Sequence, residues 1–355
     1  MSKDGKTKTA GTFNMERSQT SACDLCGQED FQTIAERDRK GRELKTVACR
    51  NCGLVSHASV PTDQELAAYY RRQYRRDYNN EYTPSARRVL REWKRGRRRF
   101  ELLRQFLSMS DRVFEIGTGI GCNLKPFDLA GFEVAGIEPG EGFRAFAREN
   151  LHLQVEGGVL ADVPQNSRHD LVMLVHVLEH FNSPTTALRH IRGILNPGGR
   201  LYVEVPNLGA PHAAPGKLFH YAHIYNFTPT TLATAARASG FEVEKVLSDP
   251  RDKNLSMLLS AGNGFKLEVD RASYRKTVEA VTRFSTITYH LRWRYLRDRV
   301  LSVRDLFTGK FGAQKQLAEL LELSNRTEDE KPHLWTSPES VNVKDSAPLP
   351  RRRAA

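Results

Sequence analysis

Arg112-Val-Phe-Glu-Ile-Gly-Thr-Gly-Ile-Gly-Cys-Asn123 is the stretch that decides the fold. Val113, Phe114 and Ile116 make the short β-branched and aromatic run of a buried strand. Gly117, Gly119 and Gly121 then turn the chain sharply, and Cys122 to Ala130 read as the helix that follows. A strand, a glycine turn and a helix in that order bring backbone amides to the carboxyl end of the first strand, where open α/β sheets take their ligands. The spacing is G-x-G-x-G, with Cys122 where a dinucleotide fingerprint keeps its last glycine. Glu115, just ahead of the turn, would repel a pyrophosphate and suits a cationic ligand instead.

Working outward, a second run, Phe132 to Ile137, ends at Glu138-Pro139. Glu138 follows the glycine loop at about the distance at which an acid takes ribose hydroxyls. Apolar runs and helical stretches then alternate to about Ala261, the pattern of a mostly parallel α/β sheet. A cationic, ribose-bearing ligand fits this pair of acids, and S-adenosylmethionine carries both an ammonium and a sulfonium.

Five segments now stand in order: Glu115–Gly121 (EIGTGIG), Gly136–Pro139 (GIEP), His169–Pro184 (HDLVMLVHVLEHFNSP), Leu195–Asn207 (LNPGGRLYVEVPN) and His223–Val243 (HIYNFTPTTLATAARASGFEV). Through them, residues 85–260 resemble a class I S-adenosylmethionine-dependent methyltransferase of the broad methyltransferase 12/23 type. The resemblance implies a Rossmann-like α/β fold with a seven-stranded sheet. It implies Glu115, Gly117 and Gly119 around the methionine portion of the cofactor, Gly121 among the cofactor-binding residues, Glu138 at the ribose, and Leu160-Ala161 near the adenine. His176, after the fourth strand, is expected on the cofactor floor.

Upstream, Cys23-Asp-Leu-Cys26-Gly27 and Cys49-Arg-Asn-Cys52-Gly53 are two matched knuckles. In each, a glycine after the second cysteine permits the positive φ of a tight turn. Together they offer four thiolates to one Zn2+, the arrangement of a zinc ribbon, with no position left open for catalysis. Residues between them read as a hairpin turning at Lys40-Gly41. A module so small has little core of its own, so metal binding would supply much of its folding energy. The ribbon is similar to the zinc-binding domain that precedes some sugar methyltransferases, including C-methyltransferases of nucleotide-linked deoxysugars.

Methyl transfer from a sulfonium needs mainly proximity and alignment, and a hydroxyl or acidic carbon must also lose a proton. His180, in Leu178-Glu179-His180, and His223 and His220, in His220-Tyr-Ala-His223-Ile-Tyr225, are the candidate catalytic residues. In the sugar C-methyltransferases that the second segment resembles, a Tyr and a His stand three residues apart, and here His220 takes the place of the Tyr.

The chain has 355 residues, 39% hydrophobic and 27% charged, enough to bury a core, and its apolar runs are too short to cross a bilayer. The first residues lack an apolar signal segment and only five cysteines occur, so a cytoplasmic location is expected. Lys and Arg number 54 against 42 Asp and Glu, a formal charge of +12 that favours acidic or phosphate-bearing partners. Basic residues crowd Arg71 to Arg104, opposed only by Asp77, Glu81, Glu92 and Glu101, with Tyr69, Tyr70, Tyr74, Tyr78 and Tyr82 interleaved. Such a stretch is read as a helical connector, and the resemblance to methyltransferases in which a Tyr-rich segment covers the cofactor implies a lid with Tyr70 or Tyr74 over it.

The expected organisation is a disordered arm (1–20), a zinc ribbon (21–60), the Tyr/Arg-rich connector (61–110), the cofactor-binding domain (111–262), a basic helical extension (263–324) and a disordered tail (325–355). Within the extension, Leu291, Tyr295 or Leu296, Val300 and Val303 fall at helical spacing. That face suits packing on the domain, a partner helix or peripheral contact with an anionic membrane. The leading functional expectation is a methyltransferase acting on a small-molecule or sugar acceptor, nucleotide- or lipid-linked acceptors included. Two alternatives stand beside it: an RNA or protein methyltransferase whose ribbon and Arg-rich helices hold the macromolecule, although nucleic acid is not the favoured partner, and a non-catalytic cofactor-binding module.

Overall fold

The computed structural model describes residues 22–62, 65–66, 83–210, 213–214, 216–293, 295–297 and 313–325. Three short strands come first, β1 (Phe31–Arg37), β2 (Glu43–Cys49) and β3 (Val55–His57), followed by helix α1 (Ala86–Leu103). Strands and helices then alternate as β4 (Arg112–Ile116), α2 (Lys125–Leu129), β5 (Glu133–Ile137), α3 (Glu141–Glu149), β6 (Val155–Glu156), β7 (His169–Val175), α4 (Pro184–Gly193) and β8 (Leu195–Pro206). After these come β9 (Tyr225–Asn226), α5 (Pro229–Ala238), β10 (Phe241–Val246) and β11 (Asn254–Ala261), and then α6 (Ser273–Thr282), α7 (Thr286–His290) and α8 (Ala313–Ser324).

A seven-stranded sheet with order β10-β11-β8-β7-β4-β5-β6 forms the centre. β4 pairs in parallel with β5 and β7, and β8 continues the parallel run, while β11 is antiparallel to both β8 and β10. The chain order reverses between β4 and β7, which opens a crevice at the strands' carboxyl ends. Strand period decides which side chains meet which helices. Val172 and Leu174 of β7 join Leu188 and Ile191 of α4 in one buried cluster. Leu171 and Met173 face the other way, into a cluster with Val89, Phe100 and Leu103 of α1. The glycine loop leads into a helix shorter than expected, beginning at Lys125 with Pro126 in its first turn.

The cysteine knuckles flank the expected hairpin, β1–β2, which turns through Gly41 at φ +80°. The segment differs from a small free-standing module in one respect. β3 pairs antiparallel with β9, so a strand from between β8 and α5 completes a four-stranded sheet, β1-β2-β3-β9. Cys23, Cys49, Cys52 and Leu54 belong to the same buried cluster as Leu188, Ile224 and Phe227. Asp24, inside the first knuckle, accepts from Ser183 Oγ at 2.5 Å and from Thr185 N–H at 3.0 Å, at the start of α4. A carboxylate there satisfies free helix amides and complements the helix dipole.

In the described part of the C-terminal region, α6, α7 and α8 are separate helices. α6 sets its first turn on the second knuckle, and α7 is a short separate helix that buries Tyr289 while leaving Leu291 71% exposed. α8 returns to the cluster around α1 and α2 through Leu320. The terminal arm, residues 326–355 of the tail, Tyr69 to Tyr82, Val300 and Val303 lie outside the described residues.

Candidate functional site

A cavity of about 930 Å3 opens at the crevice. Gly117, Gly119, Glu138, Leu160, Ala161 and His176 line it, which brings together six of the eight residues expected around a cofactor. Gly117 has φ +74°, and a Cβ there would come within 2.5 Å of Val177 Cγ2, so the loop can hold this course only as glycine. Glu138 ties the loop down: Oε2 accepts the N–H of Gly119 and Oε1 that of Gly140, both at 2.8 Å.

The remaining two sit behind the wall. Gly121 faces Leu153, Ala147 and Leu151, so its missing side chain lets α3 close on the loop. Glu115 has no exposed surface, and its place at the cavity is taken by Asn123, which donates to Glu115 Oε1 at 2.6 Å. Glu115 Oε2 has no hydrogen-bond partner. Burial pushes its carboxyl up to about 8, against the Asn123 hydrogen bond and the charge of Arg99.

Arg99 carries a network that the sequence reading did not single out. Its guanidinium reaches the cavity wall and grips Glu204 bidentately, Nε to Oε2 at 2.8 Å and Nη2 to Oε1 at 2.7 Å. Nη1 donates to Asn123 Oδ1 at 2.8 Å. Tyr202 and Asn254 add hydrogen bonds to Glu204 at 2.7 and 2.6 Å. Burial alone would raise the Glu204 carboxyl, yet the Arg99 hydrogen bond and charge outweigh it and hold the group at about 2. The signal was present but diluted: Val89, Gly96, Phe100 and Leu103 form the buried stripe of α1, and Arg99 lies within that stripe, unlike its exposed neighbours Arg97 and Arg98.

His176 adopts φ +56°, an uncommon backbone state for a residue with a side chain, directly at the end of β7. Its Nε2 lies 3.1 Å from Asn254 Nδ2, and its Nδ1 lies 3.4 Å from Glu179 Oε1. Burial lowers its pKa, but Glu179 and Glu204 more than offset this and the net shift is upward. His180 and His223 both line the cavity, with ring centroids 5.0 Å apart. His180 Nδ1 lies 2.5 Å from the carbonyl of Ala222, and burial holds the ring's pKa below the ordinary histidine value. The His220 ring lies 3.8 Å from that of His223, tilted by 48°, and does not line the cavity, and burial, aided by the charge of Arg39, pushes its pKa down to about 3. Glu179, which the sequence reading passed over within the Leu-Glu-His segment, is 1% exposed between these rings.

The four knuckle cysteines also converge. Cys23 Sγ lies 3.5 Å from Cys52 Sγ and Cys26 Sγ 3.5 Å from Cys49 Sγ, and all four sulfurs fall within 4.8 Å of one another. Four thiolates about 2.3 Å from one zinc ion would stand roughly 3.8 Å apart, so this set fits a closed tetrahedral site. Gly27 and Gly53, at φ +70° and +75°, turn each knuckle as expected. Cys122 is buried and apart from them, its thiol pushed up by burial.

Residues 84–246 match the family model described as a methyltransferase domain. The matched segment contains the glycine loop, Glu138, His176, His180 and His223. The chain is 25% identical over 248 residues to the C-methyltransferase NovU of Streptomyces niveus, covering 63% of this chain and 56% of that protein. It is 30% identical over 153 residues to a ubiquinone biosynthesis O-methyltransferase of Bordetella pertussis, covering 37% of this chain and 62% of the other. The chain thus spans about half the length of the curated relatives it matches. Among solved structures, it is similar to the 1,6-didemethyltoxoflavin-N1-methyltransferase of Burkholderia thailandensis, at 20% identity and a TM-score of 0.46, over 59% of this chain and 96% of that one. Among the described residues, no helix is long and apolar enough to cross a membrane.

Proposed function

We propose that this protein transfers the methyl group of S-adenosylmethionine to a small-molecule or sugar acceptor. The observation that carries the reading is the cavity formed by Gly117, Gly119 and Glu138 within the segment that matches a methyltransferase domain. The residues present fit that donor on their own chemistry. Glu115 keeps a buried carboxyl oxygen unpaired behind the loop, where a bound cation would favour its ionised form, and 930 Å3 is ample for a nucleoside donor together with an acceptor. When bound, S-adenosylmethionine supplies an electrophilic methyl on a sulfonium.

In this reading Gly117 and Gly119 let backbone approach the donor, Glu138 takes the ribose hydroxyls, and Leu160 and Ala161 cover the adenine. The acceptor meets the methyl group where His180 and His223 wall the cavity. An acidic or phosphate-bearing acceptor suits the part of the cavity that Arg88, Arg91 and Arg95 of α1 line, with Glu92 as their local counter-charge. The likeness to a ubiquinone biosynthesis O-methyltransferase supports a small-molecule acceptor. The cysteine set holds one structural Zn2+ in the same reading.

Calorimetry with S-adenosylhomocysteine tests the donor site, and a labelled-methyl assay against nucleotide-sugar, lipid, RNA and protein fractions tests the acceptor. Binding of about one equivalent and label in a small-molecule fraction are expected. Absence of binding to the folded chain overturns the reading, and label confined to RNA or protein overturns the acceptor class.

A further inference from the structure

Glu179 is a buried carboxylate with no hydrogen bond to either oxygen, although it sits among imidazoles. Three ring nitrogens surround its Oε1: His176 Nδ1 at 3.4 Å, His223 Nε2 at 3.8 Å and His180 Nε2 at 4.0 Å. Leaving a buried carboxylate without hydrogen bonds is costly, and a bound cation is one of the few things that offsets it. The tautomer of His180 points the same way. Its Nδ1 faces the carbonyl of Ala222, which can only accept, so Nδ1 carries the hydrogen and Nε2 turns a lone pair toward the carboxylate. His180 Nε2, 4.0 Å from Glu179 Oε1, is thus disposed as a ligand atom rather than as a donor to the carboxylate. A histidine fixed through a backbone carbonyl in this way is the usual outer support of a metal ligand.

We propose that Glu179, His180 and His223 form a divalent transition-metal site at the methyl-transfer end of the cavity. One ligand atom from each residue lies within 4.8 Å of the others. Ligand atoms about 2.0–2.2 Å from one ion stand roughly 3.0–3.6 Å apart, so small side-chain rotations close the set. Two imidazoles and one carboxylate make a three-ligand site of the kind that leaves coordination positions open. This contrasts with the four cysteines, which would complete a tetrahedron by themselves. His180 and His223 line the cavity, so the open positions face the acceptor, while His176 Nδ1, 3.4 Å from Glu179 Oε1, orients the carboxylate.

The role of the ion rests on the methyl-transfer reading above. An acceptor oxygen held at the cation becomes more acidic and gives its proton to water. The resulting oxyanion's electron pair attacks the methyl carbon, the carbon–sulfur bond breaks, and its electrons neutralise the sulfonium. Acceptors with a hydroxyl beside a second oxygen donor fit such a site best.

The test uses the full chain preloaded with one equivalent of Zn2+ to satisfy the thiolates. Mn2+ is then titrated at pH 7.5 and the free ion followed by electron paramagnetic resonance, with Co2+ absorption as a second probe. One bound Mn2+ per chain is expected, with affinity at least tenfold weaker in Glu179→Gln and in His223→Gln. Failure of the wild-type chain to bind either ion overturns the proposal whatever the variants do, and so does unchanged affinity in both folded variants. S-adenosylhomocysteine calorimetry on the same samples separates the two readings: cofactor binding without metal removes only the cation site, and metal binding without cofactor removes only methyl transfer.

Discussion

Glu115 offers a quantitative handle on the site, through the substitution Glu115→Gln. Its carboxyl is pushed up to about 8 in the folded chain, from an unperturbed value of 4.5. Because the folded value lies above the unfolded one, the unfolded chain ionises first. The associated stability is fully present below pH ~4.5 and is lost progressively as pH rises through about 8. Linkage over that window makes the cost about 3 kcal/mol at pH 7, about 1 at pH 5 and about 5 at pH 9. Glutamine keeps an oxygen to accept from Asn123 Nδ2 and introduces no charge. Urea unfolding of both proteins at pH 5, 7 and 9, without cofactor, isolates this group, because all other titrations are shared. Relative to Glu115→Gln, the wild-type chain is expected to lose about 4 kcal/mol between pH 5 and 9. Parallel stability profiles for the two proteins refute the argument that Glu115 is a strained, desolvated acid.

Arg99→Met leaves Glu204 buried with only neutral donors and the His176 ring, and should cost about 3–5 kcal/mol in urea unfolding. Glu204→Gln in the same chain should restore more than half of that loss, and an additive double variant would show that the pair is not coupled. Chelation of zinc should lower the melting temperature in a single transition, because the knuckles share a core with α4 and Asp24 sits at that helix's start. Two separate transitions in calorimetry, or an unchanged midpoint, would count against a metal that holds the fold together.

Local chemistry was legible in the chain before any coordinates. The knuckle turns, the hairpin at Gly41 and the glycine loop each follow from residues within a few positions of one another, since positive φ and strand period are local demands. Glu138 and His176 could be assigned to the crevice because each ends a strand, and strand ends in a parallel sheet share one edge.

What lay far apart in sequence was settled only by packing. The pairing of β3 with β9 joins residues 55–56 to 225–226, and no local pattern announces which edge such a short strand will meet. Arg99 and Glu204 look like ordinary surface charges until the sheet buries both against each other. Glu115 reads as a ligand-facing acid, yet the turn of α1 brings Arg99 to Asn123, and Asn123 takes the cavity wall in front of it. Glu179 acquires its surroundings from His223, more than forty residues later, delivered by the segment that also supplies β9. The sequence by itself determined the turns, the order of the strand-end acids and the set of four cysteines. Only the tertiary structure decided which charges are buried and with whom, because the energy of a charge depends on the water it loses, and that is a property of the assembled core.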